Sequence, residues 1–118
     1  MRTILLDFEG KTSTLGPISV AENAWDRMRG LLARPPLRSY EGMLIMNCCS
    51  VHTVGMKYAI DVIFLRSDGE IIRVVENLRP LRMTSCYEAD MTLELFTGSA
   101  CKLQLIAGGR LSGFQKLD

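Results

Sequence analysis

The sequence predicts a mainly β domain, either a small β-sandwich or a partly closed barrel, with one packed α-helix and a possible short second helix. Short strand-like runs are separated by turn signals at intervals of about 8 to 12 residues, a spacing typical of sandwiches and barrels. Clear helical periodicity is confined to one segment, over Val20–Ala33. A doubly wound fold would need a helix after nearly every strand, and the pattern along this chain lacks those helices.

Length and composition are those of one globular domain over residues 1–118. A chain of 118 residues can form one hydrophobic core and is too short for two ordinary domains. Hydrophobic residues make up 47% and charged residues 23%, so the chain can build a core and does not have the composition of a disordered protein. Neither a disulfide nor a metal is needed to explain its folding.

The first predicted elements are a strand and the long helix. Arg2–Phe8 is predicted to be a strand. Ser19 and Glu22 stand at the spacing of a capping box, in which each side chain satisfies a free backbone N–H at the start of a helix. The apolar residues over Val20–Ala33 fall at helical spacing, and the proline pair at 35–36 ends the helix because proline has no N–H.

Strands dominate the centre of the chain. Met43–Asn47 is a short apolar run, and Ile60–Leu65 is apolar on both faces except for Asp61, which predicts a strand covered on both sides. Between this strand and the next, the Asp-Gly dipeptide at 68–69 is a strong signal for a tight hairpin turn. The returning strand is predicted over Glu70–Glu76.

The C-terminal third is predicted to hold two further strands and the possible second helix. Met91–Phe96 alternates apolar and polar residues as a strand does. Ser99–Ile106 fits either a strand or a short helix capped by Ser99. The glycine pair at 108–109 is a turn, and a last strand is predicted near Leu111–Phe114.

A series of short motifs occurs in a fixed order and spacing over roughly residues 18–112. They are Arg27-x-x-Gly30-Leu31-Leu32-x-Arg34-x-x-Leu37, Gly42-Met43-Leu44-Ile45, His52-Thr53-x-x-Met56-x-x-x-Ile60-Asp61-Val62-x-Phe64, Pro80, Ala89-x-x-x-Leu93-Glu94-Leu95 and Gly98. Together they resemble the DUF192 family of uncharacterised prokaryotic proteins. The resemblance implies a compact β-sandwich-like domain with a single packed helix, and a short helix after Gly98. It implies no activity.

The net charge is close to zero, which argues against a nucleic-acid binder. The formal charge is +1 and the isoelectric point about 7.7, whereas proteins that neutralise phosphates usually carry a basic excess. The arginines between residues 27 and 38 are bordered by Asp26 and Glu41, so this stretch is interpreted as a solvated face. We therefore expect no nucleic-acid partner.

No segment has the composition of a membrane span or a secretory leader. A span needs about 18 or more consecutive apolar residues, and Met1–Lys11 contains only three strong apolar residues in a row. Relatives in the family are often exported, but here we expect a cytoplasmic protein. Its cysteines are then expected to be reduced thiols: Cys48, Cys49, Cys86 and Cys101.

Neighbouring cysteine and histidine residues are candidates for a metal or nucleophile site. Cys48 and His52 lie four residues apart, about 13 Å along a strand, which is too far for one ion. His52 is the sole histidine, and the best thiol to accompany it is Cys86, in a predicted loop near Arg79 and Arg82. A complete catalytic signature is absent, so we assign no catalytic residue, metal ligand or cofactor.

Asp61 is the polar exception in an apolar strand and permits two interpretations. A buried carboxylate without partners is costly, so it needs donors. In the first interpretation it accepts backbone N–H groups at the start of its strand and holds the Lys57–Ile60 turn. In the second it pairs with His52 and fixes the imidazole tautomer in a recognition or catalytic site. The residues favour the first and leave the second open.

Three functional hypotheses follow. The leading one is a non-catalytic binding or accessory module that presents a polar pocket to a small molecule or a protein partner. Its ligand-binding residues would be His52, Thr53, Met56 and Asp61. The first alternative is a hydrolase or transferase that uses His52 with Asp61 or a cysteine. The second is a structural partner subunit without pocket chemistry.

Overall fold

This computed structural model describes residues 2–9, 14–23, 37–38 and 41–114. The strands in these residues form two sheets. In chain order the elements are β1 (Thr3–Phe8), β2 (Thr14–Ala21), β3 (Gly42–Met46), β4 (Ser50–His52), β5 (Ile60–Leu65), β6 (Ile71–Leu78), β7 (Met83–Ser85), β8 (Met91–Phe96), α1 (Ser99–Lys102) and β9 (Leu111–Ser112). Seven strands form one sheet in the order β6-β5-β8-β3-β2-β1-β9, and β4 pairs with β7 in a second, two-stranded sheet. The predicted mainly β domain is confirmed.

The large sheet curls until its two edge strands touch at one end. An antiparallel bridge joins Glu70, just before β6, to Arg110, just before β9. Next to it the Ile71 N–H donates to the Gly109 carbonyl at 2.8 Å, and the Leu111 N–H donates to the Gly69 carbonyl at 2.9 Å. The sheet is therefore a half-barrel closed at this end, the partly closed barrel of the two predicted alternatives.

Two apolar clusters lie on opposite faces of the curled sheet. Side chains alternate faces along a strand, so in β5 Ile63 packs into the first core cluster and Val62 into the second. Members of the first core cluster include Leu6, Ile18, Leu44, Ile63, Leu93, Leu95 and Leu111. The second core cluster consists of Ala21, Met43, Ile45, Val51, Met56, Ile60, Val62, Phe64, Leu78 and Cys86. The central strands are consequently buried on both faces.

Most of the predicted strands are found where the pattern placed them. Ile60–Leu65 and Met91–Phe96 have the predicted bounds, and every residue of the former is buried. The predicted hairpin between β5 and β6 is confirmed, since the Glu70 N–H donates to Asp68 Oδ1 at 3.0 Å. Gly69 has a φ of +93°, and a Cβ at this position would collide with the Leu111 carbonyl oxygen. This glycine therefore serves both the turn and the closure of the barrel.

The predicted start of the long helix is wrong. Ser19 is not a helix cap but lies inside β2, where it pairs with Thr3 of β1 and Met43 of β3. The strand bonds to partners on both sides, and these tertiary contacts outweigh a local capping pattern. Glu22, the other half of the supposed capping box, forms an ion pair with Arg2. The rest of the predicted helix, from residue 24, lies outside the described residues.

The short second helix implied by the family resemblance is confirmed as α1. Its N-cap is Gly98, with a φ of +91°, and the Ser99 side chain makes no capping hydrogen bond. The expected serine cap is therefore wrong, and the donors at the start of α1 bond elsewhere. Among the described residues no helix is long and apolar enough to cross a membrane.

Candidate functional site

His52 lies at the exposed end of β4, in the two-stranded sheet that packs outside the barrel. Its register partner in β7 is Met83, which is 71% exposed. In the part of the chain that the structure describes, no hydrogen bond or ion pair joins His52 to Asp61. The imidazole is thus a surface group and is not sealed in the core.

Thr53 is fully buried and clamps the loop that precedes β7. Its hydroxyl donates to the Arg79 carbonyl at 2.6 Å and accepts the Arg82 N–H at 2.9 Å. Its main chain adds two bonds, from the Thr53 N–H to the Arg82 carbonyl at 2.8 Å and from the Leu81 N–H to the Thr53 carbonyl at 3.3 Å. One residue therefore holds three positions of this loop, Arg79, Leu81 and Arg82.

Met56 holds the turn after Thr53 to the protein core. Its side chain is buried in the second core cluster, and its N–H donates to the Thr53 carbonyl at 3.1 Å, which closes a turn over 53–56. The predicted site residues His52, Thr53 and Met56 thus lie together at the end of β4 and in the turn that follows it. His52 faces solvent, while the other two support the turn and the loop beside it.

The clamped loop presents apolar side chains to solvent. Leu81 has a φ of +64° and is 70% exposed. This left-handed conformation is unfavourable for leucine, by about 1–2 kcal/mol. Val54, on the adjacent turn, is 54% exposed. We call His52, Val54, Leu81 and Met83 together the His52 surface.

Positive charge surrounds the His52 surface. Lys57, Arg79 and Arg82 are exposed around it. The two stretches that build it, residues 48–58 and 79–87, contain no aspartate or glutamate. The surface is therefore apolar at its centre and basic at its margin, although the whole chain is nearly neutral.

Asp61 serves a different part of the fold. Its carboxylate is fully buried; Oδ1 accepts the Asn77 N–H at 2.9 Å, and Oδ2 accepts the N–H groups of Gly98 at 3.0 Å and Ala100 at 2.9 Å. The interpretation of Asp61 as an acceptor of backbone N–H groups is confirmed, but the donors belong to β6 and the start of α1. The Lys57–Ile60 turn supplies none of them.

The four cysteines are free thiols in the structure. Cys86, the best candidate nucleophile by sequence, was expected in a partly exposed loop but is buried in the second core cluster. Its Sγ lies 3.8 Å from Glu88 Oε2, and Cys48 Sγ contacts the Ser50 carbonyl at 3.2 Å. Within the described ranges, no group of three histidine, cysteine, aspartate or glutamate side chains is placed to hold a metal ion.

Sequence reasoning missed a buried acidic residue in the middle of the large sheet. Glu94 lies in β8 between Met43 of β3 and Val62 of β5, and only 3% of it is exposed. Its Oε1 has no hydrogen-bond partner among the described residues. Removal from water disfavours the charged form and raises the pKa of Glu94 to about 7.

Tyr58 is the second polar group of this buried region. Its hydroxyl oxygen is enclosed and lacks a hydrogen-bond partner in the described chain, while its ring is half-buried against the second core cluster. Burial raises the pKa of Tyr58, and the nearby Glu94 carboxylate raises it further by repulsion. The Leu37 main chain opposes this rise, but its geometry falls short of a hydrogen bond.

The burial of Glu94 could not be predicted from the sequence, although the residue stands in one of the quoted motifs, Ala89-x-x-x-Leu93-Glu94-Leu95. Met91–Phe96 alternates apolar and polar residues, a pattern typical of a strand with one face in water. However, two apolar strands, Gly42–Met46 and Ile60–Leu65, flank β8 in the sheet and are buried on both faces. A strand between two such neighbours is covered on both sides as well, so any charged residue in its middle is buried.

Two solved structures are similar to this chain. One is a candidate transcription regulator from Sinorhizobium meliloti 1021, with 24% identity and a TM-score of 0.85 over 95% of this chain and 94% of that one. The other is a protein of unknown function from Novosphingobium aromaticivorans DSM 12444, with 19% identity and a TM-score of 0.80 over 92% of this chain and 84% of that one. At these identities the likeness concerns the fold.

The family is shown by the sequence itself. No functionally curated protein matches the chain. The model of the DUF192 family (Uncharacterized ACR, COG1430) matches residues 6–113, which include every strand from β2 to β9 and the second half of β1. The chain therefore belongs to the DUF192 family.

Proposed function

We propose that this protein is a non-catalytic binding module that docks a protein partner through the His52 surface. The observation that carries the proposal is Leu81, an apolar side chain held in solvent by a strained backbone. Strain of this kind persists only where the surroundings enforce it, and it is concentrated at functional positions. Here the enforcing group is the buried Thr53 clamp.

The apolar centre and basic margin of the His52 surface support a protein partner that is acidic and carries apolar side chains. Val54, Leu81 and Met83 are more than half exposed and belong to two hydrogen-bonded segments, so they form one apolar patch. Exposed apolar patches rimmed by polar residues mark interaction sites. The rim supplied by Lys57, Arg79 and Arg82 is basic, which is complementary to an acidic segment that carries apolar anchors.

A catalytic role has less support. Asp61 is engaged by three backbone donors, which leaves it poorly placed to activate His52. The name of the Sinorhizobium meliloti protein suggests regulation of transcription for that protein. If this module served such a process, a net charge of +1 would favour a contact with protein over a contact with DNA.

Three synthetic 15-residue peptides test the proposal. The first combines glutamate with leucine and phenylalanine, the second replaces the apolar residues by serine, and the third replaces glutamate by lysine. Each is titrated into isotopically labelled protein while backbone amide shifts are recorded. We expect saturable shifts at His52, Leu81 and Met83 with the first peptide alone.

Matched variants localise the binding. Leu81→Asn keeps a residue that tolerates the left-handed conformation but removes the apolar side chain, and we expect about tenfold weaker binding. Ile106→Ser is the control, because Ile106 is 64% exposed in the loop after α1, outside the His52 surface. Equal binding by the serine peptide, or binding to phosphatidylserine vesicles in place of peptide, would show that the surface does not dock an acidic, apolar protein segment.

A further inference from the structure

Glu94 and Tyr58 form a buried polar pair that the proposed docking role does not use. The enclosed atoms are Glu94 Oε1 and the Tyr58 hydroxyl oxygen, and neither has a hydrogen-bond partner among the described residues. Buried side-chain polar atoms are normally paired, and an unpaired one calls for an explanation. Both residues belong to the region of the second core cluster: Tyr58 packs against it, and the cross-strand neighbours of Glu94 are members of it.

The surroundings of Glu94 are apolar. Its neighbours across the strands are Met43 and Val62, both buried in the second core cluster. No described lysine, arginine or histidine forms an ion pair with it. A carboxylate in such a place is stabilised only if something else supplies positive charge or a hydrogen-bond donor.

We propose that Glu94 and Tyr58 form a binding site for the cationic head of a small organic amine or guanidine with an apolar body. The ligand's N–H donates to Glu94 Oε1 and provides the missing counter-charge. The Tyr58 hydroxyl oxygen can accept a second N–H, and its ring face can attract the same cation. Met43, Val62 and Leu37 supply apolar contacts for the body of the ligand.

The depth of the pair suits a small ligand. Glu94 is enclosed, whereas Tyr58 and Leu37 are half-buried at the border of the second core cluster. The two half-buried side chains pack against the same cluster as Met43 and Val62, the cross-strand neighbours of Glu94. The inference does not depend on the docking role, because the pair and the His52 surface involve different residues.

The probes are butylammonium, butylguanidinium, 1-pentanol and pentanoate, which share an apolar body and differ in the charge of the head. Each is titrated at pH 8 into the full chain, and both the melting temperature and the Glu94 side-chain carboxyl ¹³C shift are followed. We expect both cations to raise the melting temperature saturably and to move the Glu94 resonance. The alcohol and the carboxylate should do neither.

Four variants decide whether the pair is responsible for cation binding. Glu94→Gln should weaken cation binding at least tenfold, and Tyr58→Phe should weaken it by a smaller factor, since the ring remains. Glu76→Gln removes an exposed carboxylate from β6 and should leave binding unchanged. Leu81→Asn should also leave it unchanged, which separates this inference from the docking proposal.

The opposite results overturn the inference. If neither cation binds saturably, or if Glu94→Gln binds within twofold of the native chain, the pair is not a cation site. The same conclusion follows if 1-pentanol binds as tightly as butylammonium, because the site would then recognise only the apolar body.

Discussion

Asp61 in β5 accepts the backbone N–H of Ala100 in α1 at 2.9 Å, across 39 residues of sequence. The same carboxylate oxygen accepts the Gly98 N–H, so a strand residue caps the start of a helix whose own side chains do not. The second oxygen binds the Asn77 N–H of β6. One buried carboxylate thus joins β5, β6 and α1.

Asp61→Ala should lower the free energy of unfolding by about 3 kcal/mol, because three backbone N–H groups lose their acceptor. His52→Ala should change it by less than about 0.5 kcal/mol, since the imidazole is exposed. Urea denaturation of both variants measures the difference. Comparable losses would mean that His52 supports the core and does not belong to a free surface.

Thr53→Val should weaken binding of the acidic, apolar peptide without altering any side chain of the His52 surface. The substitution removes the hydroxyl that holds the Arg79 carbonyl and the Arg82 N–H, so the loop loses its clamp. We expect a stability loss of about 1–3 kcal/mol. The control is Thr14→Val, at an exposed hydroxyl that bonds Asp7. Unchanged peptide affinity in Thr53→Val would show that the His52 surface binds without the hydrogen bonds of the Thr53 hydroxyl.

Leu81→Gly should stabilise the fold and weaken peptide binding at the same time. Glycine adopts a φ of +64° without the steric conflict that leucine has, which we expect to raise the free energy of unfolding by about 1 kcal/mol. Ile106→Gly, at an equally exposed position without a positive φ, should lower it. Chemical denaturation and peptide titration of the two variants provide the comparison, and a destabilised Leu81→Gly would contradict the assignment of strain.

Stability should fall as the pH rises through the range in which Glu94 ionises. Its pKa is about 7 in the folded chain and 4.5 in a solvated carboxyl, so between these values the folded state binds more protons than the unfolded state. The free energy of unfolding should therefore decrease from pH 4.5 to 7 by roughly 3 kcal/mol from this group and level off above.

Glu94→Gln should remove that decrease. The neighbouring Tyr58 stays neutral over the whole range, because its pKa is raised above the ordinary value of 10. Denaturation curves at half-unit pH intervals measure the free energy of unfolding of the native chain and of Glu94→Gln, and their difference is the contribution of Glu94. Glu76→Gln is the control, because it removes an exposed carboxylate. A native curve parallel to that of Glu94→Gln would mean that Glu94 titrates normally.

Gly69→Ala should be more damaging than Gly108→Ala, although both glycines have a φ close to +90°. An added Cβ at Gly108 meets nothing within 4 Å, so it costs only the backbone strain, about 1 kcal/mol. At Gly69 the Cβ also collides with the Leu111 carbonyl, where the edge strands close the barrel, and we expect a loss of about 3 kcal/mol. Equal melting temperatures would show that this closure contributes little.

The sequence pointed to the segment around His52, but Val54, Leu81 and Met83 of the His52 surface were not selected. The role of each selected residue could not be predicted either. His52, Thr53 and Met56 were selected because they are close in one motif, and the structure places all three around one turn. Asp61 was grouped with them by the same motif, yet its donors come from positions 77, 98 and 100. Residues that are close within one sequence motif do not reveal which distant residues will donate hydrogen bonds to them.

The sequence by itself determined the mainly β class, the strands over Ile60–Leu65 and Met91–Phe96, and the hairpin at Asp68-Gly69. These features depend on side-chain alternation and on turn chemistry, which are properties of a few consecutive residues. Only the tertiary structure decided that Ser19 lies in a strand and that Glu94 is buried. Both outcomes depend on which strands lie on either side, because neighbours distant in sequence supply the hydrogen bonds that hold Ser19 and the cover that removes Glu94 from water.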